Sequence, residues 1–272
     1  MDGTCDLEEL NRRHGTDFRL AGRYEGGEFG AVRLADGEGS CFVLKLQPPG
    51  LAPVTTRVLR ALGYPAPRYV AWSDEYHVLE ELPGAPAGGW GAGTEPIMAR
   101  LLELNELQAG RAVDDDRSWP HSVVESVLVG FSDYAVVGTL ERHSKQSREL
   151  LRLCRRAVEQ NAPAISERGD IVHWDYTLDN VLVDGGRVTG VIDWGGTRSG
   201  DRLFDLATLV YYARGESPQL ERYVVERIGE EGLSVYLAHM AVRQADWSVR
   251  HHGTASGEAV VAYSLALARR FP

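Results

Sequence analysis

Cysteine is scarce in this sequence. Cys5, Cys41 and Cys154 lie far apart and form no Cys-x-x-Cys pair. That excludes the usual spacing of a zinc site or disulfide framework and fits a reducing cytoplasm. Long hydrophobic runs are missing too, so no segment reads as a membrane span. The opening MDGTCDLEEL lacks the basic and apolar segments of a signal peptide. A soluble, cytoplasmic chain is the expectation. Clustered basic charge is also absent. The formal net charge is −10, which makes nucleic acid an unexpected partner. The acidity mildly favours a cationic small molecule, and it also serves solubility alone. No internal repeat or long low-complexity stretch occurs. With 272 residues, 43% hydrophobic and 25% charged, the chain can bury a substantial core.

Residues 18–47 alternate apolar and polar positions between glycine turns, the pattern of an antiparallel three-strand meander. VTTRVLRALG then reads as a short amphipathic helix closed by Gly63. Two further strands, RYVAW and YHVLEEL, follow. The Pro- and Gly-rich stretch 83–90 breaks this pattern and is the expected linker. Beyond it, leucines recur at helical spacing, interrupted at 170–194 by the short strands IVHW, NVLVD and RVTGVID. The expectation is an α+β chain. A five-stranded antiparallel lobe covers 1–82, a hinge 83–90, and a larger helical lobe 91–272.

The chemistry concentrates in IVHWDYTLDNVLVDGGRVTGVIDW, which carries His173, Asp175, Asn180 and Asp193. A carboxylate at Asp175 can accept a hydroxyl proton. Asn180 and Asp193 offer a neutral and an anionic oxygen to a hard cation such as Mg2+, and the hairpin between them returns both to one end. Upstream, Gly26-Gly27-Glu28-Phe29-Gly30-Ala31-Val32 gives glycines that could admit phosphates to the backbone, although a plain hairpin also uses them. Lys45 lies inside the apolar third strand.

Together these segments resemble the protein-kinase-like superfamily, whose signature is His-x-Asp-x-x-x-x-Asn followed by a metal-binding aspartate. The closer resemblance is to its aminoglycoside phosphotransferase branch, which includes choline-, homoserine- and methylthioribose-type kinases. Ile192-Asp193-Trp194 and Gly200-Asp201-Arg202-Leu203-Phe204-Asp205-Leu206-Ala207 match that branch. The resemblance implies a bilobal kinase-like fold and transfer of a phosphoryl group from ATP or GTP, with Mg2+, to a hydroxyl of a small polar acceptor. It makes Asp175 the base and Asn180 and Asp193 the metal ligands. Lys45, Gly27 and Gly30 fall to the phosphates, and Glu80, Glu81 and Leu82 to the base-binding hinge. His173 and Asp205 become loop scaffolds, while Trp174, Asp246 and Trp247 are candidate walls for the acceptor. That acceptor is expected to be an antibiotic, cationic or nucleoside-like. A metabolic kinase and a nucleotide-binding pseudokinase are the alternatives.

Three departures stand out. Trp174 replaces the commoner glycine, Glu25 stands at the first glycine of the fuller kinase pattern, and residues 46–63 contain no acid to pair with Lys45. Lys45 must pair elsewhere, with Asp193 one candidate, or the helix must be arranged otherwise. The run Asp114-Asp115-Asp116 reads as a solvated loop, and His251-His252 as surface.

Overall fold

The computed structural model describes residues 6–24, 31–91, 94–113, 118–131 and 135–272. Gly27, Gly30 and the run Asp114-Asp115-Asp116 lie outside them. By contacts the chain groups into two compact units, Met1–Leu107 with His173–Thr197, and Gln108–Val172 with Arg198–Pro272.

The first unit begins with α1 (Leu7–His14), capped by the Asp6 side chain and stopped by Gly15 in a left-handed conformation. Then come β1 (Arg19–Arg23), β2 (Ala31–Ala35), β3 (Cys41–Lys45), α2 (Ala52–Arg60), β4 (Tyr69–Trp72) and β5 (His77–Glu80). The five strands form one sheet in the order β1-β2-β3-β5-β4, antiparallel throughout. The expected helix falls after the third strand, and Gly63 follows it with φ +80°. The sheet's apolar face packs Phe18, Leu34, Phe42, Leu44 and Val78 against Leu10 of α1.

The 83–90 stretch does more than break the pattern. Residues 85–86 form β6, which pairs antiparallel with β8 (Val181–Asp184), and β8 in turn pairs with β9 (Arg187–Val191). Gly84 is needed there. Its φ is +107°, and a Cβ would lie 2.6 Å from Thr189 Oγ1 and 2.8 Å from the Val183 carbonyl. The helix α3 (Thr94–Glu106) completes this unit.

The second unit is mostly helical: α4 (Trp119–Leu128), α5 (Val137–His143), α6 (Lys145–Asn161), α7 (Leu203–Ala213), α8 (Pro218–His251) and α9 (Gly253–Ala268). Among its described residues a ribbon joins β7 (Asp170–Val172) to β10 (Arg198–Gly200), a strand the sequence pattern did not announce. At Gly200 a Cβ would run into the Trp119 ring, so only glycine fits. Within α8, Gly229 has φ +73° and ψ 169°, which breaks the helix between the two helical stretches legible in the sequence. No helix among the described residues is long and apolar enough to cross a membrane.

Candidate active site

Lys45, Asp175, Asn180 and Asp193 all belong to the first unit. The β8–β9 hairpin, starting just after Asn180 and ending just before Ile192 and Asp193, is what brings the last two together. The Ile192 N–H donates to the Asn180 carbonyl at 2.9 Å and closes its open end. Asn180 Nδ2 donates to the Asp175 carbonyl (2.8 Å) and to Asp175 Oδ2 (3.1 Å). With its NH2 group turned to Asp175, Asn180 keeps a carbonyl oxygen as the end that can face a cation.

Lys45 Nζ lies 2.8 Å from Asp193 Oδ1. This ion pair resolves the missing helix acid, since the partner of Lys45 lies just past the hairpin and not on α2. Burial alone pulls the Asp193 carboxyl up. The Lys45 charge and hydrogen bond outweigh it and hold the group below the usual carboxylate range. Asp193 is therefore an anion at any working pH. Asn180 and Asp193 supply one amide and one carboxylate oxygen, a donor set that suits Mg2+, which takes few protein ligands and completes its shell from phosphates and water. No cluster of three His, Cys, Asp or Glu residues able to hold a metal occurs among the described residues, so a closed, all-protein metal cage is not what this site offers.

His173 is fully buried. Its Nε2 is 2.8 Å from the Ile192 carbonyl, and the Asp175 N–H donates to Nδ1 at 3.3 Å. A carbonyl can only accept, so Nε2 carries the proton and the ring is neutral. Burial lowers its pKa first, against the Ile192 bond. The ring packs on Trp194, centroids 4.5 Å apart, and on Tyr176 at 5.6 Å.

Two more buried histidines share this state. Burial and Lys45 lower His77, opposed by its bond to the Gln47 carbonyl, and burial with Arg243 pushes His239 down to about 3. Unfolding would free all three to titrate near 6.5. Below that pH the unfolded chain takes up more protons than the folded one, so stability is complete above it and is lost as pH falls. The melting temperature is expected to be level from pH 8 to 7 and to drop between 6.5 and 5, before the carboxylates titrate. A level value down to pH 5, followed by circular dichroism, would contradict the neutral-histidine assignment.

At the expected hinge, the Glu80 N–H donates to the Arg68 carbonyl (2.9 Å) and the Glu81 N–H to the Cys41 carbonyl (3.0 Å). Both amides are used within the sheet. The Glu80 side chain pairs with Arg60 and Arg68. Glu81 accepts from Tyr24 Oη (2.6 Å) and Arg33 Nε (2.9 Å), which links this segment to β2 and to the residue after β1. Leu82 packs over Gly190, where a Cβ would come within 2.8 Å of Leu82 Cδ1.

The remaining expected residues are placed as follows. Trp174 is 4% exposed with φ +78°. That conformation is natural for glycine and strained for tryptophan. Asp205 is buried in the second unit and accepts from Gln108 Nε2 (2.8 Å), which also donates to the Ile171 carbonyl (3.0 Å). It thus reaches the strand leading into the His173 loop through Gln108, a residue no motif flagged. Asp201 accepts from Tyr236 Oη, the Leu203 N–H and Arg168. Burial raises its carboxyl above the usual range despite those partners. Asp246 is fully buried, and Arg250 takes both its oxygens, at 3.0 and 2.8 Å. Trp247 stacks on His251, ring centroids 4.2 Å apart. The Asp246 carboxylate is thus held by Arg250 in a buried ion pair.

A five-stranded antiparallel sheet with a helix after its third strand, and a hairpin carrying the Asn180–Asp193 pair toward a strand lysine, define a protein-kinase-like fold. The sequence pattern of the phosphotransferase enzyme family matches residues 23–238, and the chain belongs to that family. It is 30% identical over 80 residues to the hygromycin-B 4-O-kinase of Escherichia coli, a match spanning 27% of this chain and 24% of that enzyme. Among solved structures, a thermostable mutant of aminoglycoside phosphotransferase APH(4)-Ia in ternary complex with ADP and hygromycin B superposes with a TM-score of 0.74. Its identity is 18%, over 98% of both chains. The macrolide 2'-phosphotransferase MphH of Brachybacterium faecium does so with a TM-score of 0.59 and 18% identity, over 94% of this chain and 96% of that one. At these identities the structural likeness is one of fold.

Proposed function

We propose that this chain transfers the γ-phosphoryl of ATP or GTP to a hydroxyl of a small polar natural product, with an antibiotic as the acceptor. The observation that carries the reading is the braced constellation of Lys45, Asp175, Asn180 and Asp193, with Lys45 2.8 Å from Asp193 and Asn180 bonded to Asp175. Family membership supports phosphoryl transfer, and the hygromycin B bound in one structural relative supports the acceptor class.

In this reading the acceptor oxygen attacks the γ-phosphorus, the bond to the β–γ bridging oxygen breaks, and the nucleoside diphosphate leaves. The acceptor proton passes to the Asp175 carboxylate, which the Asn180 amide orients. Asn180 Oδ1 and the Asp193 carboxylate would hold magnesium, which when bound neutralises phosphate charge. Lys45 has three N–H donors, so it can grip a phosphate oxygen while keeping Asp193. The segment Glu80–Leu82 serves as hinge for the base. With the Glu80 and Glu81 amides already used in the sheet, recognition there falls to backbone groups at and beyond Leu82. Residues 83–90 form the linker after it, and Gly27 and Gly30 belong to the phosphate turn. His173 and Asp205 hold the loop in place.

A screen of diphosphate release against aminoglycosides including hygromycin B, macrolides, choline and sugars, with ATP and with GTP, tests the proposal. Turnover with an antibiotic is the expected result. Turnover confined to the metabolites would replace antibiotic with metabolic phosphorylation. Nucleotide binding without turnover on any acceptor would favour a non-catalytic role.

A further inference from the structure

Trp174 stands in a conformation that its own side chain disfavours. With φ at +78° it occupies the left-handed region, where Cβ crowds the backbone. Its indole is nonetheless buried, so packing must hold the strained backbone in place. Part of that packing is Gly196. A Cβ built on Gly196 would lie 3.1 Å from Trp174 Cδ1 and 3.4 Å from Trp174 Cβ. Gly196 ends the short turn Trp194–Gly196, whose preceding residue is Asp193, itself left-handed at φ +63°. A strained backbone beside Asp175 and a left-handed one bearing Asp193 thus meet at an indole–glycine contact. Strain of this kind persists where surrounding structure over-determines it, and often where geometry matters for function.

The loop is also tied to this strand end by the His173 ring, between the Asp175 N–H and the Ile192 carbonyl, and by Asn180, which donates to Asp175 and accepts from the Ile192 N–H. Those hydrogen bonds hold residues 173 and 175, and the indole packed on Gly196 adds a steric contact at residue 174 between them. We infer that Trp174 is a positioning residue: its indole, seated on Gly196, fixes the Asp175 loop relative to Asp193. This rests on reading Asp175 as the base. Acceptor stacking on Trp174, the other role open to it, is disfavoured because 4% exposure leaves almost no ring face to stack on.

The test is a double-mutant cycle read in kcat. Gly196→Ala adds a methyl that displaces the indole by a few tenths of an ångström. It is expected to lower kcat about tenfold while nucleotide KM stays within about twofold, since misplacement acts on the reacting geometry. Trp174→Gly adopts φ +78° without strain and starts from a lower kcat. In that background Gly196→Ala should change kcat by less than about twofold, because the methyl meets no ring. If Trp174→Gly does not fold, Trp174→Asn takes its place, since asparagine tolerates the left-handed region. Equal losses in both backgrounds, or wild-type kcat in a folded Gly196→Ala chain, would overturn the inference. Asp175→Asn measured alongside separates the two failures. If it stays active, the base reading falls. If it is inactive while the cycle shows no coupling, only the role of Trp174 falls.

Discussion

Asp175→Asn is expected to lower kcat by about three orders of magnitude, within the range general-base removal produces, and to leave folding and nucleotide affinity nearly unchanged. The structure makes this substitution unusually clean. The backbone N–H of residue 175 still reaches His173 Nδ1, and its carbonyl still accepts from Asn180 at 2.8 Å. An asparagine oxygen can also take the Asn180 contact now made to Oδ2 at 3.1 Å. What disappears is the negative charge and the basic oxygen, so the loss is chemical and not architectural. Steady-state turnover, a thermal melt and a nucleotide titration measured on one preparation decide the matter. Turnover within tenfold of wild type would move the base to another residue.

The parts of this site that the sequence disclosed are those governed by short-range rules. Alternation and glycine turns marked the meander and put Lys45 inside β3. The spacing of His173, Asp175 and Asn180, and the apolar run before Asp193, marked the hairpin and its open end. The parts it hid depend on contacts far along the chain. The partner of Lys45 lies 148 residues away, so the absence of an acid in 46–63 could be noticed but not resolved between its two explanations. Residues 85–86 look like linker because proline and glycine surround them, and they become a strand only because β8 offers an edge. Gln108 carries no motif, since its role comes from standing between Asp205 and Ile171.

Two features were readable and carried less, or more, than their letters suggest. Asp246 and Arg250 are four apart on one helix, the spacing of an ion pair, and the structure gives them that pair in a buried setting. Their letters did not reveal the burial. Trp174 was visible as a departure from glycine, but the reason glycine is commoner there is a φ of +78°, which only the backbone displays. A tryptophan that keeps a glycine's conformation must be held by its neighbours, and that requirement turned an odd letter into the positioning inference.

Asp193→Asn should produce the second large effect, and one whose sign differs between two conditions. Asparagine is the variant of choice because residue 193 has φ +63°, a region asparagine tolerates and alanine does not. The fold and the turn through Gly196 should survive it. The change removes a carboxylate held ionised by Lys45, leaving Lys45 without its partner at 2.8 Å. In the presence of magnesium, affinity for a non-hydrolysable triphosphate is expected to fall about 10–100-fold, the usual consequence of losing one charged partner, and turnover should fall with it. With magnesium chelated the direction reverses. The freed Lys45 ammonium no longer shares its charge with a carboxylate, and an anion has been removed from beside the phosphates, so metal-free affinity should hold or rise. Calorimetric titration of wild type and variant, each with magnesium and with chelator, gives the four numbers needed. Equal losses under both conditions would mean that Asp193 only shapes the site, and an unchanged magnesium response would place the metal on other residues.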